Sequence, residues 1–143
     1  MYNRLITFIN AHDILYKYQF GFRADHSPNL ALLFMIDKIS DALENGEYVL
    51  GLFLDFSKAF DTVNHDILFL KLENYGIRGV ALEMLKSYLS NRYQYVVYND
   101  VESEKQKISC GVPQGSILGP LLFLLYLAHV STILFSLLFA DDL

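Results

Sequence analysis

The sequence predicts an α+β domain, on three observations. Apolar residues recur at helical spacing in four segments, one aromatic and β-branched run is followed by a polar link, and two short apolar runs each end in aspartate. The chain has 143 residues, 53% of them hydrophobic and 19% charged. It is therefore long enough for one hydrophobic core and too apolar for a disordered protein.

The first predicted helix begins at the Ser-Pro pair of residues 27–28, because the serine hydroxyl can cap the first turn and proline loses no hydrogen bond there. Its helical repeat stops at the Asn-Gly pair of residues 45–46. A nearly continuous apolar run at residues 48–55 then predicts a buried strand that is covered on both faces and ends at Asp55.

Two amphipathic helices are predicted next, over residues 64–75 and 80–89. Gly76 ends the first helix, and a Ser-Asn pair ends the second. In the first of these helices we expect four side chains to face the core: Ile67, Leu68, Leu70 and Leu72.

A β-hairpin is predicted from residues 93–98 and 106–110, with residues 99–104 as a polar link. The tyrosines in and before it, Tyr88, Tyr93, Tyr95 and Tyr98, are of a kind that can stack on nucleic-acid bases. Cross-strand packing is the more common role of such aromatics and is the favoured interpretation.

The last predicted elements are a buried helix at residues 118–126 and a second buried strand at residues 132–139, which leads into Asp141 and Asp142. A strand that delivers two carboxylates directly before Leu143 has no return strand and leaves a sheet edge open. We therefore expect an incomplete domain.

Composition limits the function classes. Lys and Arg number 11 against 16 Asp and Glu, so the net charge of -5 gives no long-range attraction for a polyanion, although a carboxylate-rich metal centre would show the same balance. The single cysteine, Cys110, excludes an intramolecular disulfide and a multi-cysteine zinc site, which favours the reducing interior of a cell. Residues 1–10 show no secretory signal.

Residues 117–139 meet the length criterion for a membrane-spanning helix. Gly119 and Pro120 interrupt the start of this stretch, His129 and three hydroxyl residues interrupt its remainder, and no basic residue follows it. The favoured interpretation is a soluble protein without a membrane partner.

The two acidic strand ends are the first candidate site. If the two apolar strands are neighbours in one sheet, Asp55, Asp141 and Asp142 converge at one edge. Such carboxylates repel each other unless cations compensate, and hard oxygen ligands suit Mg²⁺. Two Mg²⁺ ions, with Mn²⁺ as a substitute, would serve phosphoryl or nucleotidyl transfer. The alternative role, capping of a helix, is favoured for Asp61, which lies just before one.

The Gly-Pro-rich segment at residues 111–120 is the second candidate site. Glycine allows the backbone to approach a substrate closely, and Gln114 offers an amide donor and acceptor for a ribose, base or phosphate edge. An ordinary loop that caps a helix explains the same residues equally well.

Four segments stand in a fixed order: QFGFR with a His-Ser pair within residues 19–27, FLDFSKAFDTVNH at 53–65, GVPQGSILGP at 111–120 and FADD at 139–142. Together they resemble the finger-to-palm segment and palm motifs of reverse transcriptases from non-LTR (LINE-like, Jockey-type) retrotransposons. The resemblance covers nearly the whole chain. It implies an RNA-directed DNA polymerase, a nucleotidyltransferase of a transposable element, with a palm-type antiparallel sheet packed on helices.

The resemblance also implies a domain organisation and partners. Residues 1–143 would be a partial reverse transcriptase domain, with a finger-to-palm segment at 1–46 and a palm at 47–143 that is truncated at the Asp-Asp pair. The partners would be an RNA template, a DNA primer and deoxynucleotides, in the nucleus or in a cytoplasmic ribonucleoprotein. The return strand, thumb and endonuclease regions of the full-length element are not in the sequence.

Roles follow from the motifs residue by residue. Catalysis and metal binding are implied for three carboxylates: Asp55, Asp141 and Asp142. Substrate binding is implied for five residues: Arg23, Phe56, Phe60, Gln114 and Gly115. Phe60 falls where the family keeps an aromatic gate against a ribose 2′-hydroxyl, and the alternative for it is a buried aromatic before a helix. Arg23 would approach the triphosphate or template phosphates, and the alternative for it is a surface salt bridge.

The sequence departs from the family at residues 127–130, where LAHV stands in place of an Asn-Asp pair. Without a primer grip and thumb to hold the primer terminus, we expect no processive primer extension by these 143 residues alone. The alternative function is therefore a catalytically inactive, truncated remnant of such an element.

Overall fold

The computed structural model describes residues 1–128 and 135–139, and these form five helices and two small antiparallel sheets, an α+β arrangement. The helices are α1 (Tyr2–Ala11), α2 (Pro28–Glu44), α3 (His65–Asn74), α4 (Val80–Leu89) and α5 (Leu118–Leu127). The strands are β1 (Tyr93–Gln94), β2 (Val97–Tyr98), β3 (Val101–Glu102) and β4 (Gln106–Lys107). The chain divides into two compact units, residues 1–58 with the described residues from 127 on, and residues 59–126.

In the first unit, α2 begins and ends where its local signals predict. The Ser27 hydroxyl accepts a hydrogen bond from Leu30 N–H at 3.3 Å, and the Asn45 N–H donates to the Asp41 carbonyl at 3.1 Å. None of the 17 residues of α2 is buried, and apolar side chains such as Leu33, which is 54% exposed, face outward. Local capping therefore defines this helix, without a buried face.

The predicted buried strand at residues 48–55 is wrong. Residues 48–54 form no strand, and their side chains are largely exposed, with Leu50 at 95% and Phe53 at 81%. A strand obtains its hydrogen bonds from a neighbouring strand, and no described residue pairs with residues 48–54. Within residues 48–55, only Asp55 takes a β-bridge position. Phe139 takes one as well.

Residues 135–139 are the described part of the second predicted strand, the rest of which lies outside the described residues. Leu138, 1% exposed, bridges Gln19 in parallel. Its N–H donates to the Tyr18 carbonyl at 3.0 Å, and its carbonyl accepts from Phe20 N–H at 2.7 Å. These bonds join the end of the chain to the segment that precedes α2.

In the second unit, α4 has its predicted bounds, α3 is one residue shorter at each end than predicted, and both helices supply much of the core. The Asn64 side chain caps α3 by accepting from Ile67 N–H at 3.0 Å. Leu68 and Leu72, four residues apart, are fully buried as predicted, whereas Ile67 and Leu70 are exposed because they lie on other sides of the helix. Three leucines of α4 are also buried: Leu82, Leu85 and Leu89.

The predicted hairpin is confirmed, with a tighter turn than the sequence suggested. β1 pairs with β4, and β2 pairs with β3. The segment predicted as a polar link, residues 99–104, therefore contains the strand β3. Asn99 and Asp100 form the turn with φ of 48° and 60°, as in a type I′ turn. Between the ladders lie two residues on the outgoing side and three on the returning side, so the pairing is interrupted. The Lys105 ammonium lies 5.2 Å from the ring centroid of Tyr95.

α5 is the predicted buried helix. Its central residues, 121–125, are at most 3% exposed. It has ten residues, and none of the helices in the described residues is long and apolar enough to cross a bilayer.

Candidate active site

The Gly-rich loop at residues 111–116 is held against the segment that leads into α3. Gly111 N–H donates to the Val63 carbonyl at 2.7 Å, and Val112 N–H donates to the Phe60 carbonyl at 2.8 Å. The His65 ring donates from Nε2 to the Gly111 carbonyl at 2.7 Å. These three bonds use the N–H and the carbonyl of Gly111 and the N–H of Val112, and they fix the position of the loop.

Only glycine fits at position 111. Its φ is +88°, and a Cβ there would lie 2.8 Å from the backbone oxygen of Asp61. The close approach of the two backbones therefore explains the first glycine of the loop.

Gln114 forms a side-chain pair with Asp61. Gln114 Nε2 donates to Asp61 Oδ1 at 3.0 Å, and both residues are exposed. The predicted helix-capping role of Asp61 is wrong, because Asn64 lies one residue before α3 and its side chain takes the free N–H. The Asp61 carboxylate instead faces the loop.

The remainder of the loop turns into α5. Gly115 is exposed, has φ of +75° and has open space around it. The Ser116 hydroxyl donates to the Pro113 carbonyl at 2.7 Å and accepts from Gly119 N–H at 2.9 Å. The loop therefore also serves as the start of a helix, as its alternative interpretation predicted.

Phe60 is half-buried, and its ring stacks on Phe123 of α5 with centroids 4.5 Å apart and planes 24° apart. Phe60 thus packs as an aromatic before a helix, which was the alternative interpretation for it. That packing holds the ring in a defined orientation.

In the first unit, Asp55 is exposed, and its carboxylate makes no hydrogen bond or ion pair with the described residues. Its carboxylate oxygens are hard ligands of the kind that Mg²⁺ prefers, so the residue fits a magnesium ligand. Phe56 beside it is half-buried. Asp141 and Asp142 lie outside the described residues. Within residues 1–128 and 135–139, no three His, Cys, Asp or Glu side chains stand close enough to hold a metal ion.

Arg23 is half-buried, and its Nη1 donates to the Tyr16 carbonyl at 3.0 Å. No salt bridge joins Arg23 to the described residues, so the salt bridge that was the alternative for it does not form there. This contact holds one terminal nitrogen of the guanidinium at the backbone of Tyr16.

Two polar contacts of α3 were not predicted. The Tyr75 hydroxyl donates to the Leu125 carbonyl at 3.1 Å, and the Lys71 ammonium donates to the Tyr126 carbonyl. Burial raises the pKa of Tyr75 and lowers that of Lys71. Both side chains satisfy carbonyls in the last turn of α5, which have no partner within the helix.

The spacing of residues in the sequence predicts neither these contacts nor the hydrogen bond between His65 and Gly111. The residues that meet are 46 to 55 positions apart.

Comparison with known proteins covers the whole chain. Residues 1–143 match the family described as reverse transcriptase (RNA-dependent DNA polymerase). The chain is 39% identical over 123 residues to a probable RNA-directed DNA polymerase from transposon X-element of Drosophila melanogaster, across 86% of this chain and 13% of that protein. It is 36% identical over 130 residues to the RNA-directed DNA polymerase from mobile element jockey of the same species, across 91% of this chain and 14% of that protein. The chain thus spans about one seventh of the length of these relatives.

Proposed function

We propose that this chain, which belongs to the reverse transcriptase (RNA-dependent DNA polymerase) family, is part of the catalytic core of a non-LTR retrotransposon polymerase. The observation that carries the proposal is the match over residues 1–143, which includes all four motifs in order. The reaction is attack of a primer 3′-hydroxyl on the α-phosphate of a deoxynucleotide, directed by an RNA template. Its setting is the nucleus or a cytoplasmic ribonucleoprotein.

The proposed architecture is a polymerase palm, with residues 1–46 as the finger-to-palm segment and residues 47–143 as the palm. The β-bridge positions of Asp55 and Phe139 support it. The buried Leu138 and its bonds to Tyr18 and Phe20 anchor the approach to the Asp-Asp pair.

Asp55, Asp141 and Asp142 are the proposed catalytic carboxylates and would hold two Mg²⁺ ions, or Mn²⁺ in their place. When bound, these ions would polarise the attacking hydroxyl and stabilise the leaving oxygen. The exposed Asp55 carboxylate, without a partner among the described residues, supports this role because both of its oxygens can bind a cation.

Phe60 would lie against the sugar of the incoming nucleotide and exclude a 2′-hydroxyl by its bulk. Its stacking on Phe123 supports this role, because a gate works only if the ring cannot swing away. Gln114 and Gly115 would line the nucleotide and template pocket, with the exposed glycine leaving room for close approach.

Arg23 and Phe56 complete the proposed substrate-binding set. The contact between Arg23 and the Tyr16 carbonyl uses Nη1, and a guanidinium has five N–H donors, so others can face a phosphate. Phe56 would contribute its backbone beside the first metal-binding carboxylate.

The test grafts the 143 residues into a full-length relative in place of the matched segment and measures RNA-templated primer extension. We expect extension with Mg²⁺ that falls by at least about 100-fold in Asp55→Asn and in Asp141→Asn, because each removes a charged metal ligand. Asp37→Asn, at an exposed position of α2, is the matched control and should leave the rate unchanged.

Phe60→Val should increase ribonucleotide incorporation relative to deoxynucleotide incorporation in the same graft, because it opens space at the sugar. If the graft is inactive while the relative's own segment is active, the chain is a catalytically inactive remnant and the proposal is wrong.

A further inference from the structure

We infer that Asp61 is a positioning residue that fixes the side-chain amide of Gln114 in one orientation. The inference rests on the proposed function, in which Gln114 lines the nucleotide pocket. It starts from the 3.0 Å hydrogen bond between Gln114 Nε2 and Asp61 Oδ1, which joins residues 53 positions apart.

The backbones that carry the two side chains are held together independently of this bond. Gly111 N–H donates to Val63 and Val112 N–H donates to Phe60, on either side of Asp61. The missing Cβ of Gly111 lets the loop lie directly on the Asp61 backbone. The Asp61 carboxylate is therefore presented to the loop at a fixed place, and a short bond to Gln114 needs no further ordering of the main chain.

The chemistry of the pair selects one amide orientation. An ionised carboxylate only accepts hydrogen bonds, so the NH₂ group of Gln114 must face Asp61. The Gln114 carbonyl oxygen then points away from the carboxylate and is left as an acceptor. A ligand group that meets this oxygen must be a donor, such as a hydroxyl or an amino group. Without Asp61, the amide can rotate and present its NH₂ group instead.

Among the described residues, the Asp61 carboxylate neither caps α3 nor forms a salt bridge. The cap of α3 is Asn64, and the salt bridges of the described chain do not include Asp61. Because both partners are exposed, the bond adds little to the stability of the fold. Loss of Asp61 should therefore alter nucleotide binding far more than stability.

The first test uses the 143-residue chain itself and NMR relaxation of the Gln114 side-chain ¹⁵N amide. We expect an ordered amide in the wild type and in Asp61→Asn, whose carbonyl oxygen can still accept, and a mobile amide in Asp61→Ala. Asp37→Ala, on the exposed side of α2, is the matched control and should leave the amide ordered. Equal order in the wild type and Asp61→Ala would overturn the inference.

The second test is a double-mutant cycle on the KM for the deoxynucleotide in the grafted polymerase. Asp61→Ala should raise KM by about 3- to 10-fold with a smaller change in kcat, the effect of losing one oriented hydrogen bond. In a Gln114→Ala background the same substitution should have no further effect, because Asp61 acts through Gln114. Additive effects of the two substitutions on KM would overturn the inference. A KM in Asp61→Ala equal to that of the wild type would also overturn it.

The two proposals fail in different ways. A wild-type graft that extends no primer counts against the proposed function, while the order of the Gln114 amide still decides whether Asp61 holds it. An active graft with a freely mobile wild-type amide counts against the role of Asp61 alone.

Discussion

Two apolar segments of similar length have opposite environments. Residues 48–54 form no helix or strand and are largely exposed, with Leu50 at 95%. Residues 121–125 of α5 are almost completely buried, with Leu122 and Leu125 at 0%. Both runs are hydrophobic except for Gly51, so apolar composition does not account for the difference.

The difference lies in what surrounds each segment. The Ser116 turn fixes the start of α5, Phe60 stacks on its Phe123, and Lys71 and Tyr75 bind carbonyls of its last turn. Residues 48–54 have no strand partner among the described residues. Burial therefore requires both apolar surface and elements that satisfy the backbone of the same segment.

The largest expected effect separates the two segments directly. Leu122→Ala should lower the free energy of unfolding by about 2 to 5 kcal/mol, because it leaves a cavity in the core. Leu50→Ala is the matched control and should change it by less than about 0.5 kcal/mol, because that side chain is exposed. Urea unfolding followed by circular dichroism measures both. Equal losses would mean that residues 48–54 pack as tightly as α5.

The second prediction tests the loop that precedes α5. Gly111→Ala should destabilise the chain by about 1 to 3 kcal/mol, because a Cβ meets the Asp61 backbone at 2.8 Å and φ is +88°. Gly115→Ala, with a similar φ and open space, should cost only the backbone strain of about 1 kcal/mol. Thermal unfolding of both variants compares them. A smaller loss at Gly111 than at Gly115 would contradict the close approach.

The smallest expected effect concerns the last turn of α5. Tyr75→Phe removes the hydrogen bond to the Leu125 carbonyl and should cost about 0.5 to 1.5 kcal/mol near neutral pH. Burial raises the Tyr75 pKa above 10.0, so its folded form holds its proton longer than the unfolded form. Stability should therefore fall as the pH rises above 10.0 in the wild type, and fall less in Tyr75→Phe.

Unfolding titrations from about pH 9 to about pH 11 measure that difference. Burial lowers the pKa of Lys71, which acts in the opposite direction but is present in both proteins, so the comparison isolates Tyr75. Identical pH dependence in the two proteins would show that the tyrosine does not titrate differently on folding.

Of the five helices in the described residues, α2 to α5 were predictable because their signals are local, whereas α1 was not predicted. Ser27 caps α2 at the position that the sequence indicates, and α4 has the predicted bounds. The strand at residues 48–55 was not predictable by the same means, because its hydrogen bonds depend on segments far away in the chain. Likewise, the motif order identified the family, whereas the capping role assigned to Asp61 from its neighbours was wrong.

The sequence by itself determined the approximate bounds of α2 to α5, the family and the candidate residues, because each depends on residues within a few positions or on motifs in linear order. The tertiary structure decided which apolar surfaces are buried and which polar side chains meet. Spacing in the sequence does not predict three of these pairs: Gln114 with Asp61, His65 with Gly111, and Tyr75 with Leu125. Their bonds join residues about 50 positions apart, and only the folded chain brings such residues within hydrogen-bonding distance.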